Sequence, residues 1–287
     1  MVLDGALALT LALKKGQHME VTPSNIRIIH WRAYDEHNFL WFETTLSAVN
    51  FEVLNSTDLF KAEKLSMILG KARNLNPDFM TIGGAEVTNR LEFSRLWGFG
   101  SSSTYISNIA AWAKVDAFAL FFKTSGGSGY DIASASATGP LFYQRLESAK
   151  RIAPIAFRPS FRDQLYFVYT GLKKDSDTGI DYYRRLSKPK PSEIASISAV
   201  TIDMTHASTL TDFEICMIRH ERIISRFLNL KPVKEERFQD FEGEIKSLGA
   251  WGGDFLLATW PGSFSELKAY FATKTINLIF GYDELVL

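Results

Sequence analysis

Hydrophobic residues in the first third of the chain follow the two-residue period of β-strands. The runs 26–32 and 38–44 are rich in Ile, Trp and Phe and flank the polar stretch 35–38, a pattern that predicts a β-hairpin. Residues 87–93 alternate polar and apolar side chains, which predicts a half-buried strand. The apolar run 6–13 predicts a buried strand rather than a secretion signal, because an acidic residue precedes it and no small-residue cleavage site follows it.

A 3.6-residue period replaces this pattern in several longer segments. In the first of these segments, residues 58–73, Leu and Ile lie among Lys and Glu in the pattern of an amphipathic helix. Thr209, with Asp212 three residues later, forms a variant of the capping box at the start of another. The helices predicted in this way are 58–73, 104–123, 193–204, 210–228 and 235–248, with a short one beginning within 132–138; the remaining strands are 164–172, 256–260 and 276–280.

Two prolines mark a change of pattern near the middle of the chain. Pro154 and Pro159 interrupt the periodic segments, and proline ends helices and strands because it lacks a backbone N–H and fixes φ. We therefore predict an N-terminal domain of residues 1–153 and a C-terminal domain of residues 154–287. Each has the usual size of a domain, about 150 residues.

The balance of charges narrows the functions that the chain can have. Lys and Arg number 32, and Asp and Glu also number 32, so the net charge at pH 7 is zero. A chain without net charge has no bulk attraction for nucleic acid or for an anionic membrane surface, and we expect neither as a partner. Cys216 is the sole cysteine of the sequence. Such a chain is typical of a reducing compartment, and we expect a cytoplasmic protein.

The segment 98–103, Gly-Phe-Gly-Ser-Ser-Ser, lies between a predicted strand and a predicted helix. Backbone N–H groups at such a helix start converge on one point, and the helix dipole adds positive potential, so the segment is a candidate phosphate site. Its serine hydroxyls could also ligate Mg2+. The alternative is a strand-to-helix turn with a serine N-cap. Neither the dinucleotide fingerprint nor the Walker loop fits, because residue 103 is serine and no lysine precedes the serines.

Two further glycine clusters follow at 126–131 and 249–254. The first places Asp131 on a tight turn ahead of a helix, where a carboxylate can accept a hydroxyl proton next to a phosphoryl donor. The alternative is that Asp131 only caps the helix. The second cluster lies between a predicted helix and a predicted strand, as a second loop for close approach to a ligand does. Its alternative is a helix C-cap followed by a turn.

Taken in order, the three clusters resemble the motifs of the GHMP kinase superfamily, which includes galactokinase, homoserine kinase, mevalonate kinase and phosphomevalonate kinase. The segment 2–6 is similar to the end of the family's Gly-Glu-Tyr-x-Val-Leu-x-Gly segment. The segment Gly-Tyr-Asp-Ile-Ala looks like the hallmark of a bacterial branch of this superfamily. The segments Gly-Ser-Gly-Tyr-Asp and Gly-Gly-Asp are most similar to the corresponding motifs of phosphomevalonate kinases. The counterparts of the Gly-Leu-Gly-Ser-Ser loop, of Ser-Gly-x-Asp and of Gly-Ala-Gly-Gly-Gly are, in order, Gly98 to Ser102, Ser128 to Asp131, and Gly249 to Gly253.

The resemblance implies an α+β fold of two domains, an N-terminal α/β domain with a left-handed βαβ unit and a C-terminal ferredoxin-like domain. It implies an ATP-dependent kinase, monomeric or homodimeric, that uses Mg2+ and phosphorylates mevalonate, phosphomevalonate or a related small molecule. By the same resemblance Asp131 is catalytic and Ser102 binds the metal. The implied substrate residues are Asp4, Gly5, Ser128 and Gly129, and the implied ATP-binding residues are Gly98, Phe99, Gly100, Ser101, Ser102, Ser103, Gly252 and Gly253.

Departures from the family's motifs leave other functions open. Trp251 replaces a glycine, and no carboxylate lies between Asp116 and Asp131 to match the family's Mg2+-binding glutamate. The family's catalytic lysine belongs to a segment upstream of Val2, so we expect the codons before Met1 to encode an apolar strand with that lysine. The alternatives are a nucleotide-binding protein without catalysis and an ATP-dependent lyase similar to mevalonate-diphosphate decarboxylase.

Overall fold

The computed structural model describes residues 1–147, 149–172, 176–249, 251 and 254–287. The chain divides into two compact units. The predicted domain boundary between residues 153 and 154 lies inside unit 1, and the division at that point stays a prediction. Unit 1 consists of Met1–Lys14, Leu96–Gly98 and Ala137–Leu287, and unit 2 of Lys15–Arg95 and Phe99–Ser136.

The described residues form twelve strands and ten α-helices. None of these helices is both long enough and apolar enough to span a membrane. The strands are β1 Ala8–Thr10, β2 Gln17–Ser24, β3 Ile28–Tyr34, β4 Leu40–Ser47, β5 Val53–Ser56, β6 Gly84–Leu91, β7 Leu141–Arg145, β8 Lys150–Pro154, β9 Leu165–Tyr169, β10 Ile245–Ser247, β11 Phe255–Thr259 and β12 Ile279–Gly281. The helices are α1 Leu59–Leu75, α2 Ser101–Ala113, α3 Ala117–Thr124, α4 Tyr130–Ala135, α5 Ser176–Arg185, α6 Pro191–His206, α7 Leu210–Leu228, α8 Val233–Arg237, α9 Phe264–Thr273 and α10 Tyr282–Leu285.

Unit 2 is built from a five-stranded sheet and the helices α1 to α4. The strand order is β2-β6-β3-β4-β5, in which β3 and β6 run parallel and all other neighbours antiparallel. Leu65, Ile68 and Leu69 of α1 are buried at helical spacing and share one core with Trp31 of β3 and Ile109 of α2. The predicted hairpin is confirmed as β3 and β4. The handedness of the connection from β3 to β6 stays a prediction.

The single helix predicted over 104–123 is wrong, because the structure has two helices there. α2 ends at Lys114, whose φ of 55° is left-handed. α3 begins after Asp116, whose Oδ1 accepts a hydrogen bond from the N–H of Ala119 at 2.7 Å. The apolar pattern continues through both helices, so periodicity alone does not reveal the break. The aspartate cap was the available signal.

Unit 1 contains a four-stranded antiparallel sheet in the order β12-β9-β11-β10. Helices α5 to α8 connect β9 to β10, and α9 connects β11 to β12. This is the β-α-β-β-α-β order of the ferredoxin-like fold, which the resemblance implies for the C-terminal half. Leu256 of β11 packs with Leu267 and Phe271 of α9 in one core, and α7 packs against β10. The strands β1, β7 and β8 form a separate antiparallel sheet.

The helix predicted over 235–248 is also wrong. The short helix α8 and the strand β10 occupy this segment. Gly243 brings the chain against β11, since a Cβ atom there would lie 1.9 Å from the carbonyl oxygen of Thr259. The strand predicted over 6–13 is confined to β1. By contrast α7 begins and ends as predicted, and the hydroxyl of Thr209 accepts from the N–H of Asp212 at 3.1 Å.

Candidate functional site

Helix α2 begins on a glycine and not on a side-chain cap, so the serine N-cap alternative is wrong. Gly100 is the N-cap residue, with φ 77° and ψ 31°. The N–H groups of Ser103 and Thr104 donate to its carbonyl at 2.9 and 3.0 Å, whereas those of Ser101 and Ser102 precede the first intrahelical bond. The first turn carries no acidic residue. Its N–H groups and the helix dipole therefore present positive potential to an anion.

The three serines of α2 differ in exposure. Ser102 is exposed, Ser101 is half-buried and Ser103 is buried. The hydroxyl of Thr104 donates to Oε1 of Gln17 at 2.8 Å, which fastens the start of the helix to β2. Among the predicted phosphate-binding serines, the hydroxyls of the first two can therefore reach a ligand, while the third is part of the packing.

The glycine at position 98 is explained by a nearby carboxylate. A Cβ atom on Gly98 would lie 2.2 Å from Oδ2 of Asp254. The ring of Trp97 packs on those of Phe255 and Phe280 at centroid distances of 6.4 and 5.3 Å. Within unit 1 the start of the phosphate segment is thus anchored on the ferredoxin-like sheet beside Asp254. The sequence assigned no role to this residue, although it ends the Gly-Gly-Asp motif.

Helix α4 begins in the same way as α2. Its N-cap is Gly129, with φ 90° and ψ −1°, and Asp131 is the second residue of the helix. The alternative that Asp131 only caps the helix is therefore wrong. Burial raises the pKa of this carboxyl to about 6, against the opposing effect of a hydrogen bond from the hydroxyl of Tyr130. A carboxyl with a pKa near neutrality is suited to accept a proton and to return it.

The turn before α4 is closely packed. Ser128 and Gly129 are buried, and a Cβ atom on Gly127 would lie 2.9 Å from Cζ of Phe121 in α3. α4 packs against α2 within unit 2. The helix with the uncharged first turn and the helix with the candidate catalytic carboxylate are therefore neighbours.

The predicted substrate residues Asp4 and Gly5 lie in unit 1. Oδ2 of Asp4 accepts a hydrogen bond from the hydroxyl of Tyr183 in α5 at 2.6 Å. The carbonyl of Gly5 accepts from Nε2 of Gln144 in β7 at 2.8 Å, and its φ of 93° favours glycine. Tyr183 holds the Asp4 carboxylate in place. The sequence offered no signal for this contact, because the two residues are far apart in the chain.

Exposed apolar side chains lie at the end of the unit 2 sheet where β6 leads into the phosphate segment. β3 ends and β4 begins there, and β5 leads from there into α1. The side chain of Phe60 is 77% exposed and that of Phe39 is 69% exposed. The sequence analysis did not single out this group of exposed side chains. We call it the sheet-end patch, and it consists of Phe39, Leu40, Leu59 and Phe60.

Comparison with known proteins identifies the fold. No family model and no curated protein matches the chain. Streptococcus pneumoniae phosphomevalonate kinase in complex with phosphomevalonate and AMPPNP aligns over 98% of this chain and 94% of its own, with a TM-score of 0.69 and 16% identity. The Methanococcus jannaschii mevalonate kinase aligns over 97% and 92%, with a TM-score of 0.63 and 16% identity. The D-glycero-D-manno-heptose 1-phosphate kinase of Bacteroides thetaiotaomicron aligns over 98% and 87%, with a TM-score of 0.65 and 13% identity.

The chain has the fold of the GHMP kinase superfamily. The predicted two-domain α+β fold is therefore confirmed. The alignments with these three kinases cover 97–98% of this chain.

Most residues of the third glycine cluster, the counterpart of the Gly-Ala-Gly-Gly-Gly motif, lie outside the residues that the structure describes. Ala250, Gly252 and Gly253 are not among them. Trp251, which replaces a family glycine, has a φ of 26°, in the left-handed region that favours glycine. Phe99 packs its ring on that of Phe93, with 5.6 Å between the ring centroids, so its side chain takes part in the packing of unit 2.

The described residues contain few side chains that could ligate a metal ion. They contain no cluster of three His, Cys, Asp or Glu side chains that could hold an ion. Mg2+ bound together with a nucleotide needs no such cluster, because phosphate oxygens and waters fill most of its six positions. The exposed hydroxyl of Ser102 is an oxygen ligand of the kind that the ion prefers, and it fits this smaller role.

Proposed function

We propose that this protein is an ATP-dependent small-molecule kinase of the GHMP type, which transfers the γ-phosphoryl group of ATP to a hydroxyl or phosphate of its acceptor. The observation that carries the proposal is the pair of helix starts in unit 2. The start of α2 at Gly100 is uncharged and open to an anion, and the neighbouring α4 carries Asp131 in its first turn. A phosphate donor site and a proton acceptor are the two groups that phosphoryl transfer to a hydroxyl requires.

Each group has a defined task in this reaction. The backbone N–H groups of Ser101 and Ser102 donate to the phosphates at the positive end of the α2 dipole. Mg2+ supplies charge neutralisation when it is bound, with Ser102 as its protein ligand. Asp131 accepts the hydroxyl proton of the acceptor, for which a pKa of about 6 leaves it ionised at neutral pH.

We assign the nucleotide base to the sheet-end patch. The patch is exposed apolar surface at the end of the sheet where the phosphate segment begins, and it contains two aromatic rings. Aromatic faces bind bases by stacking, without regard to the identity of the base. Close by, the guanidinium of Arg95 lies 4.4 Å from the centre of the Trp41 ring, which holds this cation at the border of the patch.

The similarity to mevalonate and phosphomevalonate kinases supports these two compounds as the first acceptors to test. Asp4, Gly5, Ser128 and Gly129 are the proposed acceptor residues, and we propose a cytoplasmic enzyme. ATP binding is measured by calorimetry, and phosphoryl transfer is followed with mevalonate, phosphomevalonate, homoserine and neutral sugars. We expect micromolar to millimolar ATP affinity and turnover with at least one acceptor.

Two results would contradict this proposal. ATP binding without turnover on any acceptor would support a nucleotide-binding protein that lacks catalysis. Release of carbon dioxide from mevalonate diphosphate would support the lyase alternative.

A further inference from the structure

Tyr183 of α5 contacts a proposed acceptor residue and has no role in the transfer step described above. Its hydroxyl donates to Oδ2 of Asp4 at 2.6 Å, within the short range that is typical of O–H bonds to a carboxylate. Burial and this bond raise the pKa of Tyr183 far above its usual range, so the phenol stays protonated and remains a donor at physiological pH. Both residues belong to unit 1.

The ring of Tyr183 is itself held in place. It packs on the ring of Phe227 in α7, with 5.4 Å between the ring centroids. The adjacent Tyr182 donates from its hydroxyl to the carbonyl of Leu228 at 2.9 Å, one of the last carbonyls of α7, which have no partner within the helix. Two consecutive tyrosines therefore fasten α5 to the same helix end, and the hydroxyl of Tyr183 is directed to Asp4.

The backbone around Asp4 is fixed without Tyr183. The N–H groups of Asp4 and Gly5 donate to carbonyls three residues earlier at 3.0 and 3.2 Å. The carbonyl of Gly5 accepts from Nε2 of Gln144 in β7 at 2.8 Å. The freedom that these bonds leave is rotation of the carboxylate, because a torsion that ends on an sp² group has a broad minimum. The bond from Tyr183 therefore fixes the direction of the carboxylate and not the path of the chain.

One oxygen of the Asp4 carboxylate remains for a ligand. Oδ2 is taken by Tyr183, and Oδ1 accepts no hydrogen bond from the residues that the structure describes. Asp4 is half-buried, and Oδ1 is not among the enclosed polar atoms that lack a partner, so solvent reaches it. An ionised carboxylate can only accept hydrogen bonds. The group that Oδ1 can bind is therefore an O–H or N–H donor.

We propose that Tyr183 is a positioning residue for the acceptor, which holds Oδ2 of Asp4 so that Oδ1 accepts a hydrogen bond from an O–H or N–H of the bound acceptor. This inference rests on the proposed kinase function, in which Asp4 is an acceptor residue, and it adds the group that orients Asp4. Because Tyr183 acts through Asp4, it sets the affinity for the acceptor and leaves the rate of phosphoryl transfer unchanged.

The test compares four variants of the full chain. Tyr183→Phe removes the hydroxyl and keeps the ring. The matched control is Tyr182→Phe, because this neighbouring hydroxyl also makes one hydrogen bond in unit 1, but to a backbone carbonyl. Asp4→Asn, and Asp4→Asn combined with Tyr183→Phe, complete a double-mutant cycle.

Two kinds of measurement are made on each variant. KM and kcat are determined with the acceptor that the wild type turns over best among mevalonate, phosphomevalonate, homoserine and galactose. Calorimetry measures the binding of the same compound without nucleotide, and the binding of ATP. Urea unfolding reports the loss of stability that any missing hydrogen bond causes.

We expect Tyr183→Phe to raise the KM for the acceptor about tenfold and to weaken its binding by the same factor, because a charge-assisted hydrogen bond no longer orients Asp4. The kcat and the ATP affinity should stay within twofold of the wild type. Tyr182→Phe should leave all four quantities within twofold, although it also loses a hydrogen bond. A purely structural role of Tyr183 would make the two variants alike.

Asp4→Asn tests the orientation by a second route. If Tyr183 holds the amide oxygen, the NH₂ group takes the place of Oδ1, and a donor of the acceptor then meets another donor. We therefore expect the KM to rise more than tenfold. Without Tyr183 the amide can turn its oxygen to the acceptor, so the double variant should bind the acceptor at least as well as Asp4→Asn alone.

Three outcomes overturn the inference. They are an equal acceptor KM in Tyr183→Phe and Tyr182→Phe, additive losses in the double variant, and an unchanged KM in Asp4→Asn. If circular dichroism shows that Tyr183→Phe is unfolded, Asp4→Asn decides alone. If the wild type binds one of the four compounds without turnover, the kinase proposal fails and the calorimetric comparison decides about Tyr183. If it binds none of them, the inference fails as well.

Discussion

Helices α2 and α4 begin with the same backbone conformation but differ in the charge of their first turn. Gly100 and Gly129 are both left-handed N-cap glycines, and no side chain caps either helix. The first turn of α4 contains Asp131, whereas the first turn of α2 contains no acidic residue. Since a helix N-terminus favours one negative charge nearby, α4 supplies that charge from its own chain and α2 leaves the position to a ligand. Under the proposed function, the residue type in the first turn, and not the shape of the turn, distinguishes the catalytic group from the phosphate site.

Removal of the internal charge of α4 should have the largest effect on activity. We expect Asp131→Asn to lower kcat by about 10²–10⁴-fold, because the amide cannot accept the proton of the acceptor. ATP affinity should be unchanged. The control is Asp116→Asn, which keeps an N-cap side chain on α3 in the same unit and should leave turnover unchanged and the free energy of unfolding within about 0.5 kcal/mol of the wild type. Equal turnover per folded molecule in Asp131→Asn and wild type would rule out catalysis by this residue.

A negative charge placed in the first turn of α2 should weaken the binding of phosphate there. Ser102→Asp makes the first turn of α2 like that of α4, and we expect ATP affinity to fall by about 100-fold through like-charge repulsion. The free energy of unfolding should rise by about 0.3–1 kcal/mol, because the new carboxylate meets the helix dipole. Calorimetry with ATP and urea unfolding measure the two effects, with the neutral Ser102→Asn as control. If the aspartate and asparagine variants bind ATP equally, α2 is not the phosphate site.

The pH dependence of activity distinguishes the two helix starts, because Asp131 of α4 titrates whereas the first turn of α2 contains no acidic residue. Its pKa of about 6 in the folded protein is raised above the ordinary 3.8. Activity should therefore rise about tenfold per pH unit up to pH 6 and then level off. The stabilising contribution of this carboxyl is complete below pH 3.8 and is lost as the pH rises through about 6.

This contribution is measured as the difference between wild type and Asp131→Asn in urea unfolding, and we expect about 1–3 kcal/mol. The difference is needed because Glu221, with a pKa raised to about 7, gives a slope of the same sign. A kcat that does not change between pH 5 and pH 8 would contradict the assignment of Asp131 as the base.

The smallest predicted effect tests the left-handed glycine at the start of α2. A Cβ atom would meet nothing within 4 Å at either Gly100 or Gly70, but only Gly100 has a positive φ. Gly100→Ala should lower the free energy of unfolding by about 1–2 kcal/mol through left-handed strain. Gly70→Ala, in the interior of α1, should raise it by about 0.5–1 kcal/mol. Urea unfolding compares the two variants, and the same sign for both would show that α2 does not depend on its left-handed start.

Local signals were sufficient for much of the fold and part of the site. The hairpin of β3 and β4 and the helix α7 with its Thr209 cap follow from periodicity and capping, which are short-range effects. The first two glycine clusters indicated that helices follow them, although α2 and α4 begin at Ser101 and Tyr130, before the predicted starts at 104 and within 132–138. The break at Lys114 was missed because the apolar period continues across it.

The sequence by itself determined which residues can start a helix, turn left-handed or donate to an anion, because these properties depend on a residue and its near neighbours. Tertiary structure alone decided the pKa of Asp131, the close approach of the Asp254 carboxylate to Gly98, and the bond between Glu221 and Ser247, which are 26 residues apart. Desolvation and close packing depend on atoms brought together from distant segments. No pattern within one segment contains them.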